Sequence, residues 1–106
     1  MQISTVKAMT QELKAKRPEL ATRIEKAAQI LATREVERIG RNLYRVESQC
    51  KPGSYHLVEL GPRTCDCWDF ENSRAPQGFC KHIIAVITMI RAEAYEARGE
   101  TLAVAC

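Results

Sequence analysis

The sequence predicts a small α+β protein with two N-terminal helices, a β-hairpin and a C-terminal helix packed across that hairpin. Two observations support this fold class. Apolar residues recur at helical spacings of three and four in both terminal thirds of the chain, whereas the middle third is rich in Tyr, Val and Leu around a Pro-Gly turn. A third observation, a group of Cys and His residues ahead of the last helix, predicts how these elements are held together.

Length and composition limit the class of protein. The 106 residues and 45% hydrophobic content suit one compact domain with a modest core. No stretch reaches the roughly 18 consecutive apolar residues of a membrane span, and the N-terminus lacks the apolar segment of a signal peptide. We therefore expect an intracellular, cytoplasmic protein with no membrane association. In that reducing setting five cysteines, an odd number, favour metal binding or catalysis over disulfides.

The first third of the chain predicts two helices that are separated by Pro18. Two apolar series have helical spacing, and their members are Val6, Met9 and Leu13, then Leu20, Ile24, Ala27, Ala28 and Leu31. Proline fits the first turn of a helix but not its interior. We therefore place a short helix from about Thr5 to Ala15 and a longer one from about Pro18 to Ala32.

The composition changes at Gly40, where a β-hairpin is predicted to follow. Residues 42–49 (NLYRVESQ) and 54–60 (SYHLVEL) show partial alternation of apolar and polar residues, and Pro52-Gly53 between them favours a turn. The predicted organisation is a helical region at 1–39, a ββα module at 40–99 and a tail at 100–106.

The last helix is predicted to begin at Cys80, to have Arg98 in its final turn and to stop at Gly99. Its apolar stripe consists of Ile83, Val86, Ile87, Ile90 and Ala94. We expect this stripe to pack across the hairpin.

Four candidate metal ligands lie ahead of this helix and at its start: Cys65-x-Cys67, twelve intervening residues, and Cys80-x-His82. Three sulfurs and one imidazole form a tetrahedral set that suits Zn²⁺, and four protein ligands close the site, which favours one structural zinc ion. Residues two apart in extended chain point to the same side, so Cys65 and Cys67 can bind one ion together. Two residues of a helix turn through about 200°, so Cys80 must precede or cap the helix while His82 occupies its first turn.

Other residues around this pattern are expected to have structural roles. We expect Trp68 and Phe70 to tuck against the C-terminal helix, and stacking on nucleic-acid bases is the alternative role. The expected solvated loop charges are Asp66, Asp69 and Glu71. The other Cys and His residues do not have the spacing of metal ligands. They are Cys50 at the hairpin tip, Cys106 and His56, and we expect His56 to fill a strand position.

The segment from about Leu43 to Ile90 resembles the SWIM zinc finger, in which two strands are followed by Cys-x-Cys, a variable spacer and Cys-x-His. The segments TCDCWDF (64–70) and CKHIIAV (80–86) both match the sequence pattern that usually flanks the metal ligands in this family. The resemblance covers under half of the chain. It implies a ββα zinc module that binds DNA or other proteins, as in chromatin remodellers, transposase-like proteins, ubiquitin-ligase proteins and mediators of homologous recombination.

Two other chemistries use the same residue types. Three Cys and one His can also hold an iron–sulfur cluster, which colour distinguishes from zinc. A nucleophilic enzyme with Cys80 or Cys67 activated by His82 would need an oriented pair, an oxyanion site and a substrate cleft. Because the sequence shows no catalytic constellation apart from the metal ligands and no evident small-molecule site, we expect a protein that is not an enzyme.

The formal net charge of +3 is concentrated in the N-terminal third. Residues 1–41 hold nine Lys/Arg against five Glu, a balance of +4. Such residues commonly serve solubility, and Glu12 with Lys16 has the i to i+4 spacing of a helical ion pair, as has Glu19 with Arg23. The candidate phosphate contacts are Lys14, Lys16, Arg17, Arg23, Lys26, Arg41 and Arg63.

Two functions of different class follow from these observations. The first is a DNA-binding accessory protein in DNA processing, recombination or transposition, whose affinity should weaken steeply with salt. The second is a protein-interaction adaptor that docks a larger DNA-processing partner, or a second copy of the chain, without touching nucleic acid. Its apolar surface would include Tyr95, Leu102 and Val104. The modest charge favours the DNA-related role only slightly.

Overall fold

A computed structural model describes residues 2–98 and has the α+β class that the sequence predicts. The helices are α1 (Ile3–Lys16), α2 (Ala21–Thr33), α3 (Trp68–Glu71) and α4 (Lys81–Ala97), with 3₁₀ turns at Pro18–Leu20 and Pro76–Gly78. The strands are β1 (Val36–Gly40), β2 (Leu43–Glu47), β3 (Tyr55–Glu59) and β4 (Thr64–Cys65). The predicted helix stop at Gly99 and the predicted tail, with Leu102, Val104 and Cys106, lie outside the described residues.

The two N-terminal helices are confirmed, and Pro18 separates them as expected. α1 closes with a hydrogen bond of 2.8 Å from the Arg17 amide to the Leu13 carbonyl. Pro18 then begins the 3₁₀ turn. An N–H group at this first position would have no partner within the helix, so proline costs no hydrogen bond there. α2 follows from Ala21. The chain thus reverses direction early, which brings α1 and α2 into contact with each other and with α4.

The predicted hairpin is confirmed as β2 and β3, the central pair of a four-stranded antiparallel sheet in the order β1-β2-β3-β4. Tyr44 pairs with Val58, and Val46 pairs with His56. Gly53 has a φ of 88° in the connecting turn, a conformation that glycine adopts without steric cost. This register points the alternate residues Tyr44, Val46 and Val58 into the core, where all three are buried.

The structure adds β1 and β4, which the sequence analysis did not predict. β1 begins within the region assigned to helix, and it pairs with β2 through the two-residue turn at Arg41 and Asn42. All of its residues are at least partly exposed, so it lacks the buried alternating positions that mark a strand. β4 has only two residues, and Cys65 in it pairs with Val58.

α4 is the central element of the core. It contacts the sheet through β2, β3 and β4 and contacts α2 as well. The largest fully buried side chains come from all of these layers: Ile24, Ile30, Ile83, Val46, Val58, Val86 and Cys80. Of the predicted stripe, Ile83 and Val86 are buried and Ile87 and Ile90 are partly buried, but Ala94 is exposed, so the stripe is confirmed only in part. The fully buried face of α4 includes instead Ile84, Ala85, Met89 and Ala92. Within residues 2–98, none of the helices is long and apolar enough to cross a membrane.

Candidate metal centre

The four predicted ligands converge from three elements. Cys65 ends β4, and Cys67 stands in extended conformation as the N-cap of α3. Cys80 is the N-cap of α4, with φ −77° and ψ 165°, and His82 lies in the first turn of that helix. The helical geometry required Cys80 to precede the helix, and the structure confirms this placement. The amide of Ile84 donates to the Cys80 carbonyl at 3.0 Å, which fixes the start of α4 next to the site.

The geometry of this group fits one metal ion. All four side chains are buried, and their ligand atoms lie within 4.8 Å of one another. A tetrahedral site with metal–sulfur bonds of about 2.3 Å separates neighbouring sulfurs by about 3.8 Å. Cys65 Sγ lies 3.8 Å from Nδ1 of the His82 ring, so the imidazole lies directly beside the sulfurs. A small contraction of the remaining distances would complete the coordination, so the Cys₃His group could bind one metal ion.

His82 provides independent support for a metal ligand. Its Nε2 is buried and has no hydrogen-bond partner among the described residues. A buried imidazole ordinarily has a partner for each ring nitrogen, because leaving one unsatisfied costs about 1–3 kcal/mol. One face of the ring is covered by His56, whose centroid lies 4.3 Å away at an interplanar angle of 36°. The imidazole is therefore held in place at the thiol cluster by packing and by its position on α4.

His56 and Asp66 belong to the surroundings of the site, which the sequence analysis did not predict. His56 was expected to fill a strand position and lies in β3, and Asp66, expected to be a solvated charge, has a side chain that is 49% exposed. In addition, His56 Nδ1 lies 3.2 Å from Asp66 Oδ1, and the same oxygen accepts a hydrogen bond from the Leu57 amide at 3.1 Å. The pair supports the His82 ring from the strand side. The two side chains meet only because β3 and β4 are adjacent, a contact with no signature in the sequence.

The three thiols interact strongly with one another. Hydrogen bonds from Cys65 and Cys80 lower the pKa of Cys67, whereas hydrogen bonding to Cys67 raises the pKa of Cys65 well above that of a free thiol. The pKa of Cys80 is raised to about 11, because hydrogen bonding to Cys67 and burial outweigh a lowering by Cys65. Binding of a divalent metal to all three sulfurs must therefore release the protons of the thiols whose pKa is raised.

The segment between the two ligand pairs is anchored by an ion pair that the sequence did not suggest. This segment, expected to be a loop, contains α3 and the 3₁₀ turn at Pro76–Gly78. Arg23 on α2 donates from Nε and Nη2 to the two carboxylate oxygens of Asp69, both at 2.8 Å, and Nη2 also donates to the Arg74 carbonyl at 3.0 Å. The expectation that Asp69 is a solvated charge is therefore wrong. The Arg23 guanidinium lowers the pKa of the Asp69 carboxyl.

The expectation for Trp68 is also wrong, whereas that for Phe70 is confirmed in part. Trp68 is 65% exposed, and its ring faces solvent beside Arg74, whose guanidinium carbon lies 5.8 Å from the ring centroid. Phe70, two residues later on the single turn of α3, is partly buried against the core. A four-residue helix can turn only one of two such aromatic residues inward, and the structure places Phe70 there.

The candidate phosphate contacts do not form a patch of free cations. Four of them are paired with carboxylates: Lys14 with Glu25 at 2.6 Å, Lys16 with Glu12 at 3.0 Å, Arg17 with Glu19 at 2.7 Å, and Arg23 with Asp69. Arg63 lies over the Phe79 ring at 4.3 Å and donates to the Gln77 carbonyl. Lys26 and Arg41 are exposed and form no ion pair within residues 2–98. The pairing leaves fewer of these cations available for contacts with phosphate than the sequence suggests.

A groove of about 560 Å³ lies between α1 and α4, apart from the metal ligands. Its apolar lining includes the partly exposed side chains of Met9, Leu13, Phe79, Ile87 and Tyr95. Of the three residues that the sequence proposed for an apolar docking surface, Tyr95 therefore lies in this groove.

Comparison with known proteins does not place the chain in a family. No protein-family model, curated protein or solved structure gave a significant match to it. The features of this chain that bear on its function are therefore its own Cys₃His group and the groove between α1 and α4.

Proposed function

We propose that Cys65, Cys67, Cys80 and His82 bind one zinc ion whose role is structural. The observation that carries this proposal is the closed, buried set of four protein ligands, three of them sulfurs. Zinc in structural sites is typically held by four Cys and His ligands, whereas catalytic zinc keeps a position for water or substrate. The resemblance of residues 43–90 to the SWIM zinc finger supports the same assignment.

Substitution of Co²⁺ for zinc tests this site. We expect visible ligand-field bands of a tetrahedral, thiolate-rich centre that saturate at one equivalent and disappear when Zn²⁺ is added. Cys80→Ser should abolish the bands, and Cys50→Ser should leave them unchanged because Cys50 is exposed and outside the group. Purified protein that is brown and contains iron and sulfide would instead identify an iron–sulfur cluster.

A structural ion with four protein ligands would take no part in catalysis. With every coordination position filled by protein, the metal has no place for a reacting water. The same coordination would occupy Cys67, Cys80 and His82, the residues that a Cys-His nucleophile would need. We therefore propose that the chain acts through its surface.

We propose that this surface serves protein interaction, as an adaptor for a larger partner with a role in DNA processing. The groove between α1 and α4 supports the adaptor role because it presents partly exposed apolar side chains that a solvent-facing surface would not need. The pairing of four N-terminal cations with carboxylates favours the same choice over direct phosphate binding.

Direct DNA binding, as an accessory protein in recombination or transposition, is the second candidate. It is favoured by the exposure of Trp68, which leaves an indole face accessible for stacking on a base of single-stranded DNA. Lys26 and Arg41 would supply phosphate contacts in this case.

Fluorescence anisotropy with single- and double-stranded DNA over a salt series separates the two candidates. The adaptor role predicts no binding at low salt. Binding at micromolar affinity that weakens with salt, and that is reduced in a Lys26→Ala, Arg41→Ala variant, would establish the DNA-binding function instead.

A further inference from the structure

The groove between α1 and α4 has the dimensions of a helix-binding site. On the α4 side its lining runs from Ile84 to Arg98, a separation of fourteen residues, or about 21 Å at the rise of an α-helix. An occupant of about four helical turns would match this length. Met9 and Leu13 from α1 face Ile87 and Tyr95 from α4 across it, which provides apolar contacts at both walls.

The charges around the groove are unequal. Four cationic side chains contribute to its lining, Lys16, Arg17, Arg91 and Arg98, against one lining carboxylate, Glu12. Arg17 is also paired with Glu19, which lies outside the lining, at 2.7 Å, so the positive charges around the groove still outnumber the negative ones by two. The Lys16–Glu12 pair at 3.0 Å leaves both side chains about half exposed, so a stronger partner can compete for Lys16. The rim therefore favours an occupant with negative charge.

We infer that this groove binds an acidic amphipathic helix of a partner protein. An apolar stripe at i, i+4 and i+7 would lie on Leu13, Ile87 and Tyr95, and flanking Asp or Glu residues would meet the cationic rim. Nucleic acid fits less well, because the floor is apolar and phosphates would have no contact there. This inference rests on the proposed adaptor role and names the chemistry of the partner.

A peptide selection tests the inference and does not require that the partner be identified first. A random 16-residue library displayed on phage is selected on the zinc-loaded full chain and counter-selected on Ala94→Trp. Ala94 is exposed on α4 and lines the groove, so tryptophan there obstructs the groove without disturbing the core. Ala97→Trp is the matched control, since Ala97 is exposed on the same helix and does not line the groove.

We expect the selected peptides to combine apolar residues at helical spacing with Asp and Glu, and to bind with micromolar affinity. Ala94→Trp should weaken synthetic versions by about tenfold or more, and Ala97→Trp by less than about twofold. Arg91→Glu should weaken them about fivefold, and more at low salt, whereas Arg41→Glu, outside the groove, should have little effect.

Several outcomes would overturn the inference. Absence of enrichment, or enriched peptides without acidic residues, would show that the groove is not an acidic-helix site. Peptides that bind only after Leu102→Asp is introduced would show that the chain's own residues 99–106 compete for the groove. Peptides that bind Ala94→Trp as well as wild type would place the contact elsewhere, and the adaptor role would then stand without this groove.

Discussion

The ion pair between Arg23 and Asp69 connects α2 to the segment that joins the two halves of the metal centre. Asp69 lies two residues after Cys67, and Arg23 also binds the Arg74 carbonyl in the same segment. Asp69→Asn keeps the shape of the side chain and removes its charge, and Arg23→Met removes the guanidinium and keeps an apolar stem. The two changes and their combination form a double-mutant cycle that measures the coupling free energy of the pair.

The structure sets the expected magnitude of this coupling. The side chains are 26% and 29% exposed, so the pair lies between an exposed ion pair, worth below about 1 kcal/mol, and a fully buried one, whose disruption costs about 3–5 kcal/mol. Bidentate, charge-assisted geometry at 2.8 Å places it above the exposed class. We expect a coupling free energy of about 1.5 kcal/mol, and a Tm for Asp69→Asn that is lower by about 7 °C.

Urea unfolding at fixed total zinc gives the free energies for the cycle. Glu12→Gln is the control, because its pair with Lys16 is exposed, and we expect no measurable destabilisation from it. The folded-state pKa of Asp69 lies below its ordinary value of 3.8, so its contribution is complete above that pH and is lost only as pH falls through the folded pKa. The gap between wild type and Asp69→Asn should therefore be constant between about pH 6 and pH 8. A coupling indistinguishable from zero would refute the anchoring role.

Three further predictions concern the metal centre and the core. Cys80→Ser should lose the metal and the cooperative unfolding of the C-terminal half, measured by metal analysis and near-UV circular dichroism, and Cys50→Ser should retain both. Metal affinity should rise with pH by up to about 100-fold per unit near neutrality, because protonated thiols must lose about two protons, and a pH-independent affinity in calorimetry would contradict this. Trp68→Ala should leave the unfolding free energy nearly unchanged, whereas Ile83→Ala, at a fully buried position, should lower it by about 2–5 kcal/mol; equal effects would contradict the burial of these two side chains.

The Cys₃His group and the central hairpin were predictable because each depends on local geometry. The spacing of Cys80 and His82 admits only a capping arrangement at a helix start, and the Pro52-Gly53 turn fixes the pairing of β2 with β3. In both cases residues close in sequence determine the structure, so the pattern carries the information.

The remaining features depend on which elements become neighbours. Arg23 and Asp69 are 46 residues apart, and neither position has a pattern that singles it out. His56 reaches His82 only because β3 lies against α4 and β4. β1 is paired along one edge only and largely exposed, so its sequence, VERIG, lacks the apolar alternation that predicts a strand.

The exposure of Trp68 could not be predicted from its residue type and its position next to Cys67. An aromatic residue next to a metal ligand was expected to cover the site, but Phe70 on the same helical turn takes the inward position. The choice between the two rings is made by the orientation of α3, which Cys67 and the Arg23–Asp69 pair fix. Neither constraint can be predicted from the sequence, because both depend on how α2 packs against the segment between Cys67 and Cys80.

Thermal unfolding with and without zinc tests most directly whether the metal and the fold are coupled. Structural zinc sites bind with about 10–16 kcal/mol at neutral pH in finger peptides, comparable with the stability of a whole domain. We predict that protein with one equivalent of Zn²⁺ unfolds in one cooperative transition, and that removal of the ion by a chelator abolishes that transition for the sheet and α4. Identical melting curves before and after chelation, with no zinc in the purified protein, would contradict the account.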